Sequence, residues 1–120
     1  MKQLIRQLTE ALGPSGREGA VRSIILREVK SMADDVRVDA LGNVIAYRKP
    51  ARKVLSPRRI MVAAHMDEIG LVVSHIDTKG FVRFVVPGSH HYDISMGARV
   101  QFLNGVKGIV VREPSTGADV

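Results

Sequence analysis

The most informative segment of this chain reads Arg58-Arg59-Ile60-Met61-Val62-Ala63-Ala64-His65-Met66-Asp67-Glu68-Ile69-Gly70. Its apolar run, Ile60 to Ala64, is typical of a strand buried on both faces, as in parallel α/β sheets. Polar side chains follow the run directly. Because ligands of open α/β sheets bind just beyond the carboxyl ends of strands, we expect a binding site at residues 65–68.

His65 and Asp67 have the spacing of a metal ligand and its supporting acid. In an extended segment, positions i and i+2 point to the same side. His65 is therefore predicted to face a metal ion while Asp67 accepts the other ring N–H, which fixes the tautomer and raises the basicity of the ligand. This pattern alone has low specificity. The alternative is a surface loop whose histidine binds nothing.

The composition limits the kinds of site that are possible. A length of 120 residues allows one modest domain or part of a larger one. The chain has no cysteine, so any metal must be held by His, Asp or Glu. The absence of cysteine also fits a cytoplasmic protein. No apolar segment is long enough for a signal peptide or a bilayer span, so we expect no membrane partner.

The net charge of +6 is concentrated in one segment. Its basic residues are Arg48, Lys49, Arg52, Lys53, Arg58 and Arg59. Such a patch can bind nucleic acid through phosphates. Only Tyr47 offers an aromatic stacking group nearby, however, and Pro50 and Pro57 interrupt the segment. We therefore interpret it as a solvated loop and expect no nucleic-acid partner.

Local patterns predict two helices and a hairpin before the apolar run. Apolar residues at helical spacing between Leu4 and Leu12 indicate a first helix, which Gly13-Pro14 ends. Ser15 and Glu18 match a capping box that would begin a second helix. The alternating residues 36–40 and the return at 44–47 predict a hairpin around the turn at 41–43.

After Gly70 the sequence predicts short strands only. They cover residues 71–76, 81–86, 98–102 and 106–111, with a loop at 87–97. Asn104-Gly105 is a strong hairpin signal between the last two strands. Strands at this spacing indicate a small β-barrel or sandwich. We therefore expect an α/β portion to about Ile69 and an all-β portion after it.

Four segments in order carry a family resemblance. They are Ala11-Leu12-Gly13-Pro14-Ser15-Gly16-Arg17-Glu18, Val38-Asp39-Ala40-Leu41-Gly42-Asn43, Ala64-His65-Met66-Asp67-Glu68-Ile69-Gly70 and Gly80-Phe81-Val82-Arg83-Phe84. Together they resemble the start of the tetrahedral aminopeptidase family. That family includes glutamyl and deblocking aminopeptidases and members labelled cellulase M or endoglucanase. The resemblance covers nearly the whole chain and weakens at residues 87–97.

The resemblance implies a dinuclear metallo-aminopeptidase that acts on peptides with two divalent ions, zinc or cobalt. Its α/β catalytic domain is interrupted by an inserted β-barrel. Residues 1–69 would then be the start of the catalytic domain, and 70–120 part of the barrel. By the motif, His65 would bind one metal ion. Asp67 would be a catalytic-site residue whose carboxylate orients the His65 ring, and Glu68 would support the loop. Family members assemble into dodecamers.

The other ligands and the general base of such an enzyme fall, in the family, beyond the residues of this chain. Catalytic zinc needs three protein ligands, and at most one is matched here. His75, His90 and His91 lie in the β portion, where surface or barrel positions are expected. The sequence therefore predicts the N-terminal portion of an aminopeptidase, inactive alone. The alternative is a non-enzymatic oligomerisation or interaction module that uses the β portion as its contact surface.

Overall fold

The computed structural model describes residues 1–52, 55–88 and 94–112. Two helices, α1 (Lys2–Glu10) and α2 (Gly19–Val29), come first. Six strands follow: β1 (Asp35–Val38), β2 (Val44–Tyr47), β3 (Val72–Ile76), β4 (Val82–Val85), β5 (Arg99–Gln101) and β6 (Lys107–Ile109). They pair as three antiparallel hairpins, β1–β2, β3–β4 and β5–β6. No helix in these ranges is long and apolar enough to cross a membrane.

The chain divides into two compact units, Met1–Leu71 and Val72–Val120. In the first unit, α2 contacts both α1 and β2. Val21 of α2 is buried, and Gly13 lies so close that a Cβ there would be 2.7 Å from the Val21 Cγ2. Arg22 Nη1 donates to the Gly42 carbonyl at 2.9 Å, which joins α2 to the turn of the β1–β2 hairpin.

The β1–β2 hairpin is closed by the side chain of Asp39. Its Oδ1 accepts the backbone N–H groups of Leu41 at 3.0 Å and Asn43 at 2.9 Å, and its Oδ2 accepts Asn43 Nδ2 at 2.9 Å. Gly42 takes a φ of 90°, which the turn needs and which glycine adopts without strain. These bonds, the Asn43 side chain first, hold the pKa of Asp39 below its ordinary value.

The low pKa of Asp39 makes the stability of the first unit pH-dependent. The folded hairpin favours the carboxylate, so its contribution is present above the ordinary pKa, about 3.9, and is lost as the pH falls through the lower folded value. An Asp39→Asn variant keeps the two backbone acceptor contacts but has no such titration. We expect the wild type to have the higher urea midpoint at pH 7 and the gap to close on acidification. A gap independent of pH would contradict this assignment.

In the second unit, short polar side chains close both hairpins. Asp77 Oδ1 accepts the N–H groups of Lys79 at 2.9 Å and Phe81 at 2.8 Å between β3 and β4. Asn104 Oδ1 accepts Val106 N–H at 3.1 Å between β5 and β6, which confirms the hairpin predicted at Asn104-Gly105. The observed strands lie inside the predicted ranges and are shorter. The described strands form three separate sheets, so the barrel stays a prediction.

The prediction of a buried strand at Ile60 to Ala64 is wrong for this structure. The segment forms no strand, and the residues Ile60, Met61 and Val62 are 87%, 89% and 90% exposed. A central strand needs neighbours on both edges and cover on both faces. The residues that the structure describes supply none of these. The boundary between the two units lies close to the one predicted after Ile69, although the domain assignment itself stays a prediction.

The exposed run at Ile60 to Val62 predicts self-association of the chain. Contiguous exposed apolar residues favour pairing with another copy. We expect sedimentation velocity to give a mean mass above that of the monomer at high protein concentration. Val62→Glu should return the mean mass towards the monomer. Leu41→Glu is the matched control, since Leu41 is 88% exposed in a turn, and should leave the association unchanged. A monomeric wild type would contradict this expectation.

Candidate metal-binding site

Two loops of the first unit lie against each other. The N-terminal loop (Gly13–Glu18) precedes α2, and the histidine loop (His65–Gly70) ends this unit. Glu68 N–H donates to the Gly13 carbonyl at 2.9 Å, and Gly13 N–H donates to Glu68 Oε1 at 2.7 Å. A parallel bridge between Pro14 and Glu68 results. Glu68 therefore ties the two loops together through its backbone and its carboxylate.

A glycine permits this close approach at the end of the histidine loop. A Cβ on Gly70 would lie 2.5 Å from the Cβ of Pro14, closer than two carbon atoms can pack. The Ala64-to-Gly70 and Ala11-to-Glu18 segments, which the sequence analysis quotes separately, therefore lie together in space. Their contact fixes the backbone that carries His65, the candidate metal ligand.

The ring of His65 is held at one nitrogen. Its Nδ1 lies 2.9 Å from Asp67 Oδ1 and 3.0 Å from the Asp67 carbonyl oxygen. A carboxylate and a carbonyl can only accept, so the proton belongs on Nδ1. In the neutral ring Nε2 then carries the free lone pair. The His65 side chain is 86% exposed, so this lone pair faces solvent and is open to a ligand.

Asp67 is bound through both carboxylate oxygens. Oδ1 faces His65, and Oδ2 accepts the hydroxyl of Ser15 from the N-terminal loop. The Ser15 hydrogen bond first, and that of His65 second, lower the pKa of Asp67. Asp67 is therefore ionised at neutral pH. Its negative charge lies beside the nitrogen that holds the His65 proton.

The contact between Ser15 and Asp67 corrects the predicted capping box. The α2 helix begins at Gly19 with Glu18 at its N-cap and has no side-chain cap. Glu18 Oε1 accepts Gly16 N–H at 2.5 Å instead. The prediction was wrong because a capping box considers neighbours in sequence only, whereas the partner of Ser15 is 52 positions away. The only sequence signal of a contact at Ser15 is the short Gly-Pro-Ser-Gly turn before a helix.

Of the other three histidines, one lies in the second unit and two lie outside the described residues. His75 lies in β3, in the second unit, paired in register with Arg83 of β4. His90 and His91 lie outside the described residues. Within residues 1–52, 55–88 and 94–112, no three His, Cys, Asp or Glu side chains are grouped as a metal site requires. The described residues thus fit one metal ligand and its orienting acid, but not a complete site.

Comparison with known proteins shows what this arrangement belongs to. The profile of the M42 glutamyl aminopeptidases matches residues 42–116. A candidate aminopeptidase of Acetivibrio thermocellus is 47% identical over 114 residues, which are 94% of this chain and 33% of that protein.

Two solved structures have the same fold over this length. An aminopeptidase of the archaeon Desulfurococcus kamchatkensis superposes with a TM-score of 0.80 at 36% identity, covering 98% of this chain and 33% of the other. PhTET1-12s, a dodecamer in its asymmetric unit, superposes with a TM-score of 0.72 at 33% identity, covering 96% and 34%. The chain thus spans about a third of the length of these proteins. Since the profile matches more than half of its residues, the chain belongs to the M42 glutamyl aminopeptidase family.

Proposed function

We propose that this chain supplies a metal ligand, His65, and its orienting acid, Asp67, to an aminopeptidase that removes N-terminal residues from peptides. One observation carries the proposal: His65 Nδ1 lies 2.9 Å from Asp67 Oδ1 while the rest of the ring is exposed. Ligating histidines are commonly held in this way, with a carboxylate on the nitrogen that does not bind metal. Membership in an aminopeptidase family gives this geometry its chemical meaning.

The donor set favours a zinc-like metal ion. An imidazole lone pair suits zinc and similar transition-metal ions, and the chain has no cysteine to compete. We propose two divalent ions, zinc or cobalt, of which His65 Nε2 holds one. Bound metal ions of this kind make water acidic and polarise a carbonyl group. Catalysis also requires ligands and a base that the described residues do not contain.

Two acidic residues of the histidine loop, Asp67 and Glu68, have different roles in the proposal. Asp67 favours the His65 proton on Nδ1, so that Nε2 is mainly the donor atom. Glu68 acts on the backbone, because its carboxylate is occupied by Gly13 N–H. We therefore assign Glu68 to support of the loop and not to proton transfer.

The proposal extends to assembly and location. Residues 70–120 are proposed to form part of an inserted β-barrel, of which the β3–β4 and β5–β6 hairpins are the described strands. The dodecameric PhTET1-12s supports a homo-oligomer, and we propose a dodecamer. Peptides are the proposed substrates and the cytoplasm the proposed location.

A second candidate function has its own supporting observation. All five residues of β3 are exposed, including the apolar Val72, Val73 and Ile76. Such a strand can contact another protein. The chain would then be an interaction or oligomerisation module without catalytic activity.

A chimera separates the two candidates. This chain replaces the matching third of the D. kamchatkensis aminopeptidase, and both the chimera and the isolated chain are assayed with amino-acid p-nitroanilides and added zinc or cobalt. We expect hydrolysis by the chimera and none by the isolated chain. The unmodified host is the positive control. A folded, assembled chimera that binds no metal at His65 would refute the metal-site proposal and favour the module.

A further inference from the structure

Ser15 is the one residue outside the histidine loop whose side chain reaches Asp67 among the described residues. Its hydroxyl donates to Asp67 Oδ2, opposite the oxygen that faces His65. The family profile matches residues 42–116 and does not include Ser15. We propose that Ser15 is a positioning residue that orients His65 through Asp67, an inference that rests on the proposed function only for its relevance to metal binding.

The hydrogen bond from Ser15 to the second carboxylate oxygen restricts how the Asp67 carboxylate can turn. A single hydrogen bond to Oδ1 restrains rotation about the Cβ–Cγ bond only weakly, because this torsion is broad. Bonds to both oxygens fix its plane. The His65 side chain is 86% exposed, so packing restrains the ring little, whereas the Asp67 side chain is 38% exposed. The orientation of the ring must therefore depend on the hydrogen bonds, and Ser15 supplies the bond that comes from another loop.

The anchor for Ser15 is the pairing between the loops. The reciprocal bonds of Gly13 and Glu68 and the bridge at Pro14 fix the backbone immediately before Ser15. Movement of the N-terminal loop would thus reach the histidine ring through two successive contacts, Ser15 to Asp67 and Asp67 to His65. The N-terminal loop therefore does more than join α1 to α2, because it holds Ser15 at the Asp67 carboxylate.

The expected effect of removing the hydroxyl is partial. His65 Nδ1 also lies 3.0 Å from the Asp67 carbonyl oxygen, which remains when the Asp67 side chain turns away. Loss of Ser15 should therefore lower the population of the Nδ1–H tautomer without abolishing it. Metal affinity should fall at the lower end of the about 10–100-fold range that outer partners of metal ligands cover.

The tautomer can be read directly in the 120-residue chain without metal. Long-range ¹H–¹⁵N correlation spectra give the shifts of both ring nitrogens of His65 at about pH 8.5, where imidazole is neutral. We expect mainly Nδ1–H in the wild type and a shift towards Nε2–H in Ser15→Ala. Ser15→Thr keeps the hydroxyl and should restore the wild-type ratio. Ser23→Ala removes a hydroxyl that donates to the Gly19 carbonyl within α2 and should change nothing.

Two results would overturn the proposal. The first is an unchanged tautomer ratio in Ser15→Ala with a wild-type amide spectrum. The second is an altered ratio in Ser15→Thr, which also decides the question if Ser15→Ala does not fold. Zinc is then titrated into the chimeric aminopeptidase, which supplies the remaining ligands, and into its His65→Ala variant. If both bind zinc with the same stoichiometry and affinity although Ser15→Ala changes the tautomer, the positioning role stands and the proposed metal function fails.

Discussion

Replacing His65 with alanine is expected to remove one equivalent of bound metal from the chimeric aminopeptidase and to abolish its hydrolysis of p-nitroanilides. His65 Nε2 is the only ring nitrogen whose lone pair is free to bind a metal ion. The ring is exposed on a loop that Glu68 and Gly13 hold in place. Alanine removes the donor, and the described residues contain no group of three His, Cys, Asp or Glu side chains that could hold a metal ion without it. The loss of activity should exceed the about 10–100-fold that follows the loss of an outer-shell partner.

The measurement is calorimetric titration of metal together with the rate assay. His75→Ala is the matched control, since His75 is exposed in β3 and belongs to the other unit. It should retain metal stoichiometry and rate. Unchanged stoichiometry and affinity in His65→Ala would remove the metal-site proposal altogether, because the loop would then carry a solvated histidine and nothing more.

Local sequence patterns predicted the parts of the fold that are decided locally. The turns at Asp39 to Asn43 and at Asn104-Gly105 are closed by side chains within two to four residues of their partners. The two helices also arise where apolar spacing predicted them. Such elements need no distant partner, so the residues that form them are sufficient to predict them.

Elements that depend on distant partners were predicted poorly. The apolar composition of Ile60 to Ala64 indicates a buried strand, but composition does not provide neighbouring strands. The hydroxyl of Ser15 was assigned to its own helix, although the nearby carboxylate in space belongs to Asp67. In both cases the local sequence indicates which structure a segment could form. The partner that determines which structure it does form lies elsewhere in the chain or outside the described residues.

The candidate site was predictable in part, because one of its contacts is local and another joins distant segments. The contact of Asp67 with His65 was predicted from their spacing, and the structure has it at 2.9 Å, because two residues in an extended loop share one side. The support by the N-terminal loop was not predictable in the same way. The role of His65 in metal binding stays a proposal, whereas the geometry that would enable it is present.

Replacing Asp67 with asparagine should weaken metal binding by about 10–100-fold while keeping the stoichiometry of the chimera. An asparagine can accept from His65 Nδ1 with its carbonyl and donate to the Ser15 oxygen with its amide, so the arrangement of the three side chains persists. Only the negative charge is lost, and the low pKa of Asp67 means that this charge is present at neutral pH. The negative charge beside the ring no longer favours a bound cation, and metal is bound at saturation but less tightly.

Asp77→Asn provides the control for loss of one carboxylate charge, because Asp77 closes the β3–β4 turn in the other unit. It should leave metal affinity unchanged in the same calorimetric titration. Asp67→Ala removes the side-chain acceptor as well as the charge and should bind metal more weakly than Asp67→Asn. The Asp67 carbonyl oxygen still accepts from Nδ1 and should keep the loss below that of His65→Ala. Equal affinities for Asp67→Asn and the wild type would show that the charge beside His65 has no part in metal binding.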